Sequence, residues 1–106
     1  MKYHNRKIKT HEGVFDSKKE YERWVVLKLM QREGRIAGLR RQVPYVLIPT
    51  QKKKVGSERP VKYIADFVYE ADGVPVVEDT KGVRTADYII KRKLMLWVYG
   101  VEIKEL

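Results

Sequence analysis

The hydrophobic and polar positions along the chain predict two helices. One covers about residues 17–32, where Ser17 can cap the first turn and Glu20 has the spacing of a capping box. The other covers about residues 85–99, with Thr85 as its cap, and a glycine follows each helix. In the second helix, the residues expected to face the core are Ile89, Ile90, Leu94, Leu96 and Trp97, and Trp24 of the first helix is also expected in the core.

Four apolar stretches predict β-strands. Three of them, Val43–Ile48, Val61–Tyr69 and Val74–Lys81, are rich in β-branched or aromatic residues and are bounded by proline, glycine or polar loops. The fourth, Val101–Ile103, follows the second helix. Residues 36–39 are expected to form a short turn that leads into the first strand.

The order helix, three strands, helix, strand predicts an α/β fold. Hairpins make the first three strands antiparallel, and the helix before the fourth strand makes the last pair parallel. We therefore expect a mixed central sheet with a helix on either face, a three-layer α/β/α arrangement of order αβββαβ. A chain of 106 residues has the size of one domain, here 1–106. Residues 1–13 are expected to be a basic, irregular arm, and residues 51–58 a flexible loop.

Acidic residues and one lysine interrupt the two central strands of this sheet. The Asp72-Gly73 pair predicts a hairpin connection, which brings Asp66 on one strand beside Asp79 on the next. Because side chains alternate along a strand, Asp79 and Lys81 share one face. Glu78 points the other way, and we expect it to be exposed or paired with a basic residue.

Two carboxylates and an ammonium group at one point are suited to phosphodiester hydrolysis. A divalent cation neutralises charge on phosphoryl oxygens and lowers the pKa of an attacking water. Mg²⁺ takes oxygen ligands, often only one or two carboxylates, so Asp66 and Asp79 are a sufficient protein contribution. Lys81 is expected to steady the nucleophilic water or the charge of the transition state.

Charge and composition indicate the partner. The formal net charge is +9, so a polyanion is expected, and nucleic acid is the first candidate. The chain has no cysteine, no apolar run long enough to span a membrane and no secretory leader, which together predict a soluble, cytoplasmic protein of a bacterial cell or phage host. The cations expected to contact DNA are Lys52, Lys53, Lys54, Arg84, Lys91, Arg92 and Lys93.

The acid at Asp66 followed by the Asp79-x-Lys81 motif resembles the site of the PD-(D/E)XK nuclease superfamily, including its RecB-like and Holliday-junction-resolvase-like members. The valines before Asp79 are similar to the hydrophobic positions that precede this motif, and nearly the whole chain resembles small, mostly phage-encoded members. Many members add a glutamate from the first helix, and Glu20 is similar to that residue. Glu22, two residues later, is an open alternative.

The resemblance implies a Mg²⁺- or Mn²⁺-dependent endodeoxyribonuclease. In this reading Asp66, Asp79 and Glu20 hold the metal, and Lys81 serves the nucleophile. One alternative is a resolvase of branched DNA, which needs a homodimer to cut two strands. Another is a basic nucleic-acid-binding protein without catalysis.

Overall fold

A computed structural model describes residues 6–80 and 84–106 of the chain. Within these ranges the protein is a mixed α/β structure with two helices and a four-stranded sheet of order β3-β6-β7-β8, in which only the β7–β8 pair is parallel. The pairs β1–β2 and β4–β5 are separate two-stranded hairpins. The elements are β1 Ile8–Thr10, β2 Gly13–Phe15, α1 Lys18–Arg32, β3 Ala37–Ile48, β4 Gln51–Lys52, β5 Ser57–Glu58, β6 Val61–Ala71, β7 Val74–Asp79, α2 Ala86–Tyr99 and β8 Lys104–Glu105.

Both helices begin and end where the sequence predicts. The Ser17 hydroxyl accepts a hydrogen bond from the Glu20 N–H at 3.1 Å, and the Thr85 hydroxyl accepts one from the Tyr88 N–H at 3.3 Å. Each contact satisfies a donor that the first turn would otherwise leave without a partner. Gly100 ends α2 at φ +67°, a left-handed conformation that favours glycine. The described part of the chain contains no helix long and apolar enough to cross a membrane.

Strand β3 starts six residues earlier than predicted. Residues 37–39 belong to the strand because the long β6 offers them a partner, with Ala37 opposite Glu70. The register shifts between Ala37 and Arg40, and Gly38 lies there at φ +66°. The glycine that indicates a turn in the sequence is therefore part of a bulge inside the strand.

Three further predictions are wrong. The described end of the arm is the β1–β2 hairpin, in which the Thr10 hydroxyl donates to the Gly13 carbonyl at 3.0 Å. The predicted loop at residues 51–58 is the β4–β5 hairpin. The last strand is Lys104–Glu105 rather than Val101–Ile103, because the pairing with Glu78 and Asp79 falls there.

The core consists of two clusters, one for each helix. The α1 cluster contains Leu27 of the helix with Phe67 and Tyr69 of β6. The α2 cluster contains Tyr88 and Met95 of the helix with strand residues such as Tyr63, Ala65 and Val77. On β7, Val76 packs against the α1 cluster while its neighbour Val77 lies in the α2 cluster, as the alternation of side chains along a strand requires.

The predicted core face of α2 is wrong at three of five positions. Ile90 is 57% exposed, Leu96 is 54% exposed and Trp97 is 85% exposed, whereas Ile89 and Leu94 are half-buried. Tyr88 and Met95, two turns apart, form the buried face of this helix instead. Of the two tryptophans, only Trp24 is core material: its ring stacks on Phe67 with centroids 6.0 Å apart.

An ion pair between the half-buried Arg23 and the buried Glu78 joins α1 to β7. Glu78 has no exposed surface and accepts two hydrogen bonds from the Arg23 guanidinium, at 2.8 and 2.7 Å, and a third from the Tyr69 hydroxyl. Burial acts to raise the pKa of Glu78, but the bonds from Arg23 and Tyr69 outweigh it and hold that pKa below its ordinary value. The predicted basic partner is present, and the alternative of an exposed side chain is wrong.

Replacing Glu78 should destabilise the protein and change its response to acid. Glu78→Gln leaves the half-buried Arg23 charge without its counter-charge, at a cost of about 1.5–3 kcal/mol at neutral pH, as for lost hydrogen bonds to a charged group. Since the folded-state pKa is lowered, the stability that Glu78 contributes is present above its ordinary pKa of 4.5 and is lost as pH falls through the folded value. Urea unfolding at pH 3 to 7 measures both effects. The exposed Glu102→Gln is the control, and equal stability of the two variants would contradict the assignment.

Candidate functional site

The first turn of α1 holds Glu20 in a buried position. Glu20 is 1% exposed, and its Oε1 accepts a hydrogen bond from the Asp16 N–H at 2.9 Å, just outside the helix. The donor is the residue before the Ser17 cap, whereas the reciprocal bond of a capping box comes from the N–H of the cap residue itself. Because a backbone donor fixes Oε1, the other carboxylate oxygen of Glu20 is held in a defined direction.

A pair of bonds from Thr80 fixes Asp66 in the same manner. Asp66 Oδ2 accepts from both the Thr80 N–H and the Thr80 hydroxyl, each at 2.8 Å. The register pairs Phe67 with Glu78, so Asp66 stands opposite Asp79 and its carboxylate reaches the residue that follows. The predicted neighbourhood of Asp66 and Asp79 on adjacent strands agrees with this register.

Gln42 of β3 connects the two carboxylates. Its Nε2 donates to Glu20 Oε2 at 2.9 Å and to Asp66 Oδ1 at 3.4 Å. Gln42 has a φ of +55°, which is unusual for a residue other than glycine. The sequence does not reveal Gln42 or Thr80 as site residues, because glutamine carries no turn signal and Thr80 only marks the end of an apolar strand.

The strands change faces at this point. On β6, Ala65 packs in the α2 cluster, whereas Phe67 packs in the α1 cluster. On β3, Val43 packs against the α2 cluster and Leu39 against the α1 cluster. Residues two apart or four apart on a regular strand share one face. The alternation therefore breaks at Gln42 and Asp66, and the Gln42 side chain connects Asp66 to Glu20 at the break.

Glu20 lies in an environment that disfavours its charge. Burial raises the pKa of Glu20 above its ordinary value, and the nearby charge of Asp66 adds to this effect. Arg41 opposes it only in part, since its NH2 nitrogen is 3.9 Å from Glu20 Oε2. The Arg41 guanidinium also lies 3.8 Å from the centroid of the Phe15 ring and donates to the Val14 carbonyl.

Asp79 is the most enclosed of the predicted metal ligands on the sheet. It is 2% exposed, and its Oδ2 accepts from the Tyr63 hydroxyl at 2.7 Å. Burial raises the pKa of Tyr63, and the hydrogen bond to Asp79 raises it further, so the phenol stays protonated as a donor. Tyr63 also lines a cleft of about 160 Å³, together with Ile64, Thr85, Asp87, Tyr88 and Lys91.

The structure thus joins Glu20 to Asp66 and places Asp79 opposite Asp66, while the predicted Lys81 lies outside the described residues. Glu22, the alternative to Glu20, is exposed and forms an ion pair with Lys18 at 3.9 Å. Within residues 6–80 and 84–106 no group of three or more His, Asp or Glu side chains has metal-binding spacing. Carboxylate oxygens such as those of Glu20 and Asp66 are ligands for hard divalent cations.

The predicted DNA-binding cations fall into two groups. Some already contact an acidic side chain: Arg84 and Arg92 donate to Glu105, and Lys53 donates to Glu58. Glu105 also accepts from the Tyr88 hydroxyl, and these bonds lower the pKa of Glu105 to about 2. The others are exposed or half-buried: Lys52, Lys54, Lys91 and Lys93.

Removing the Tyr63 hydroxyl should destabilise the sheet around Asp79. In Tyr63→Phe the buried carboxylate loses one donor, which we expect to lower the free energy of unfolding by about 1–2 kcal/mol at neutral pH. Urea unfolding followed by circular dichroism measures this. Tyr99→Phe is the control because it loses only an exposed bond to the Val46 carbonyl. An effect no larger than that of the control would contradict the role given to Tyr63.

Comparison with curated proteins and with solved structures found no match. The family model described as "Protein of unknown function (DUF1064)" matches residues 1–104. A match over nearly the whole length shows that the chain belongs to the DUF1064 family.

Proposed function

We propose that this protein is a divalent-metal-dependent endodeoxyribonuclease that hydrolyses DNA phosphodiester bonds. The observation that carries the proposal is the convergence of Glu20 and Asp66. One oxygen of each carboxylate lies within hydrogen-bonding distance of the same nitrogen of Gln42, and Asp79 stands opposite Asp66 in the sheet. A catalytic assignment also explains why polar groups are gathered where two core strands break their alternation.

The arrangement of elements supports membership of the PD-(D/E)XK superfamily. When the β1–β2 and β4–β5 hairpins are set aside, the order is α1, β3, β6, β7, α2, β8, which is the αβββαβ order of the resemblance. Val76 and Val77 pack against different helices, which favours a sheet between two helical layers. In that reading the acidic residues occupy the second and third strands of the core, as they do in the superfamily.

The donor set fits Mg²⁺ or Mn²⁺. Asp66, Asp79 and Glu20 supply only carboxylate oxygens, and two of these residues hold one oxygen fixed by a backbone N–H. When bound, the cation would supply charge neutralisation at the phosphate and a more acidic water. Glu20 and Asp66 would orient the cation, and Tyr63 would hold Asp79 by its hydroxyl. Lys81 would place a positive charge near the attacking water.

The charge of the chain supports DNA as the substrate. A net charge of +9 favours a polyanion, and Lys52, Lys54 and Lys93 are exposed and available to phosphates. Arg84 and Arg92 share Glu105, so each contributes less free positive charge than the sequence alone indicates. Phosphate contacts of this kind position the substrate without reading its sequence.

Nuclease assays with matched variants test the proposal. Plasmid and single-stranded DNA are incubated with Mg²⁺, Mn²⁺ or EDTA. We expect metal-dependent cleavage that falls at least about a hundredfold in Asp66→Asn, Asp79→Asn and Lys81→Ala, because each removes a charge that acts on the transition state. DNA binding should stay near that of the parent, since the phosphate contacts are elsewhere.

Glu20→Gln and Glu22→Gln form the matched pair for the helix. The first should lose cleavage and the second should keep it, because Glu22 is exposed and pairs with Lys18 rather than with Gln42. A parent protein that binds DNA in these assays and never cuts it would favour the non-catalytic binding protein. Cleavage that survives in Asp79→Asn would remove Asp79 from the site.

The outward face of α2 favours a resolvase of branched DNA as a second candidate. Ile90 and Trp97 lie two turns apart on the side opposite the buried Tyr88 and Met95, at 57% and 85% exposure. Exposed apolar side chains of this size are typical of an interface. A second copy of the chain would cover them and bring two active sites together, as cutting two strands requires.

Analytical ultracentrifugation tests this second candidate by measuring self-association of the protein. We expect the parent to sediment as a dimer at micromolar concentration and Trp97→Lys to sediment as a monomer, because the charge cannot be buried in an apolar contact. Val55→Lys is the control, since Val55 is 86% exposed in the β4–β5 hairpin. A parent that stays monomeric across the concentration range would exclude this interface.

A further inference from the structure

The carboxylates of Glu20 and Asp66 each accept hydrogen bonds at both oxygens. One oxygen accepts from a backbone N–H, and the other accepts from Gln42. Glu20 uses Oε1 for the Asp16 N–H and Asp66 uses Oδ2 for Thr80. The remaining oxygens, Oε2 of Glu20 and Oδ1 of Asp66, both accept from Nε2 of Gln42. An amide nitrogen has two hydrogens, so one nitrogen can serve both acceptors.

The backbone of Gln42 indicates that this contact is not incidental. Its φ of +55° lies in the left-handed region, which costs free energy for a residue with a Cβ atom. Such a conformation persists only where the surrounding structure demands it, and it is enriched at functional sites. Here it occurs where β3 changes faces, and it turns the Gln42 amide toward the carboxylates.

The Gln42 amide and a divalent cation need the same oxygens. A cation that bridges Glu20 Oε2 and Asp66 Oδ1 must lie between these two oxygens. Nε2 of Gln42 occupies this place, at 2.9 and 3.4 Å from them. A cation that bridges the two carboxylates in this way therefore requires that Gln42 give up both contacts.

We propose that Gln42 is a competitor of the cation and sets the metal affinity of the site, an inference that rests on the proposed function. In the metal-free protein the Gln42 amide donates to one oxygen of each carboxylate and so screens the repulsion between their like charges. The cation must break both hydrogen bonds of Gln42, and the cost of breaking them is subtracted from its binding free energy. Gln42 therefore raises the cation concentration at which the site fills.

Calorimetric titration of the full chain with Mn²⁺ tests the proposal without relying on catalysis. Gln42→Gly removes the amide and adopts the same φ without strain. We expect it to bind Mn²⁺ on the order of tenfold more tightly than the parent. In the parent, the cation must first break the hydrogen bonds from Gln42 to the charged carboxylates, and in the variant these bonds are absent. Gln42→Asn also tolerates this φ and has a side chain one methylene shorter, and it should bind more tightly than the parent as well.

Asp72→Gly is the matched control. Asp72 has a φ of +53° in the turn between β6 and β7, so the substitution relieves the same backbone strain without touching the carboxylates, and Mn²⁺ affinity should not change. If the parent binds Mn²⁺ and the Gln42 variants bind it equally or more weakly, Gln42 is not a competitor. If neither the parent nor the Gln42 variants bind Mn²⁺ at millimolar concentration, the proposed metal-dependent function itself is wrong.

Discussion

The change of faces on β3 and β6 is the constraint on which the site depends. A regular pair of strands would keep Ala65 and Phe67 on one face and would leave Asp66 on the other. Instead Ala65 packs with the α2 cluster and Phe67 with the α1 cluster, and the break between them falls at Asp66 and its neighbour Gln42. Because of this break, each of the two strands supplies side chains to both clusters. The polar residues at it are left beside the first turn of α1, where Glu20 lies.

The buried carboxylates of Glu78 and Glu20, both on the α1 side of the protein, have contrasting environments. The contrast indicates a structural role for Glu78 and a chemical role for Glu20. Glu78 receives two bonds from Arg23 and one from Tyr69, and its pKa is lowered. Glu20 receives a bond from the Asp16 N–H and one from Gln42, faces Asp66, and its pKa is raised. A fully paired buried acid holds elements together, whereas one with a raised pKa and an acidic neighbour is poised to accept a cation or a proton.

The sequence predicts local features of this protein better than distant ones. The caps Ser17 and Thr85 and the Asp72-Gly73 turn depend on a few neighbouring residues, and the structure has all three. Trp97 is exposed because the face of α2 is decided by what the sheet offers, and apolar residues occur on both sides of that helix. Gln42 was not predictable, since its role arises from a backbone conformation that glutamine rarely adopts and from contacts with residues 22 and 24 positions away.

Strand β8 connects Asp79 of the sheet to helix α2. Glu105 pairs with Asp79 in the parallel register, and its side chain accepts from Arg84, Tyr88 and Arg92. The Leu106 N–H donates to the Asp79 carbonyl at 3.0 Å, which extends the same pairing. Two arginines near the site are thus committed to holding α2 against Asp79. If DNA is the partner, as proposed, its phosphates would contact exposed lysines instead, and Lys93, on the exposed side of α2, is placed to do so.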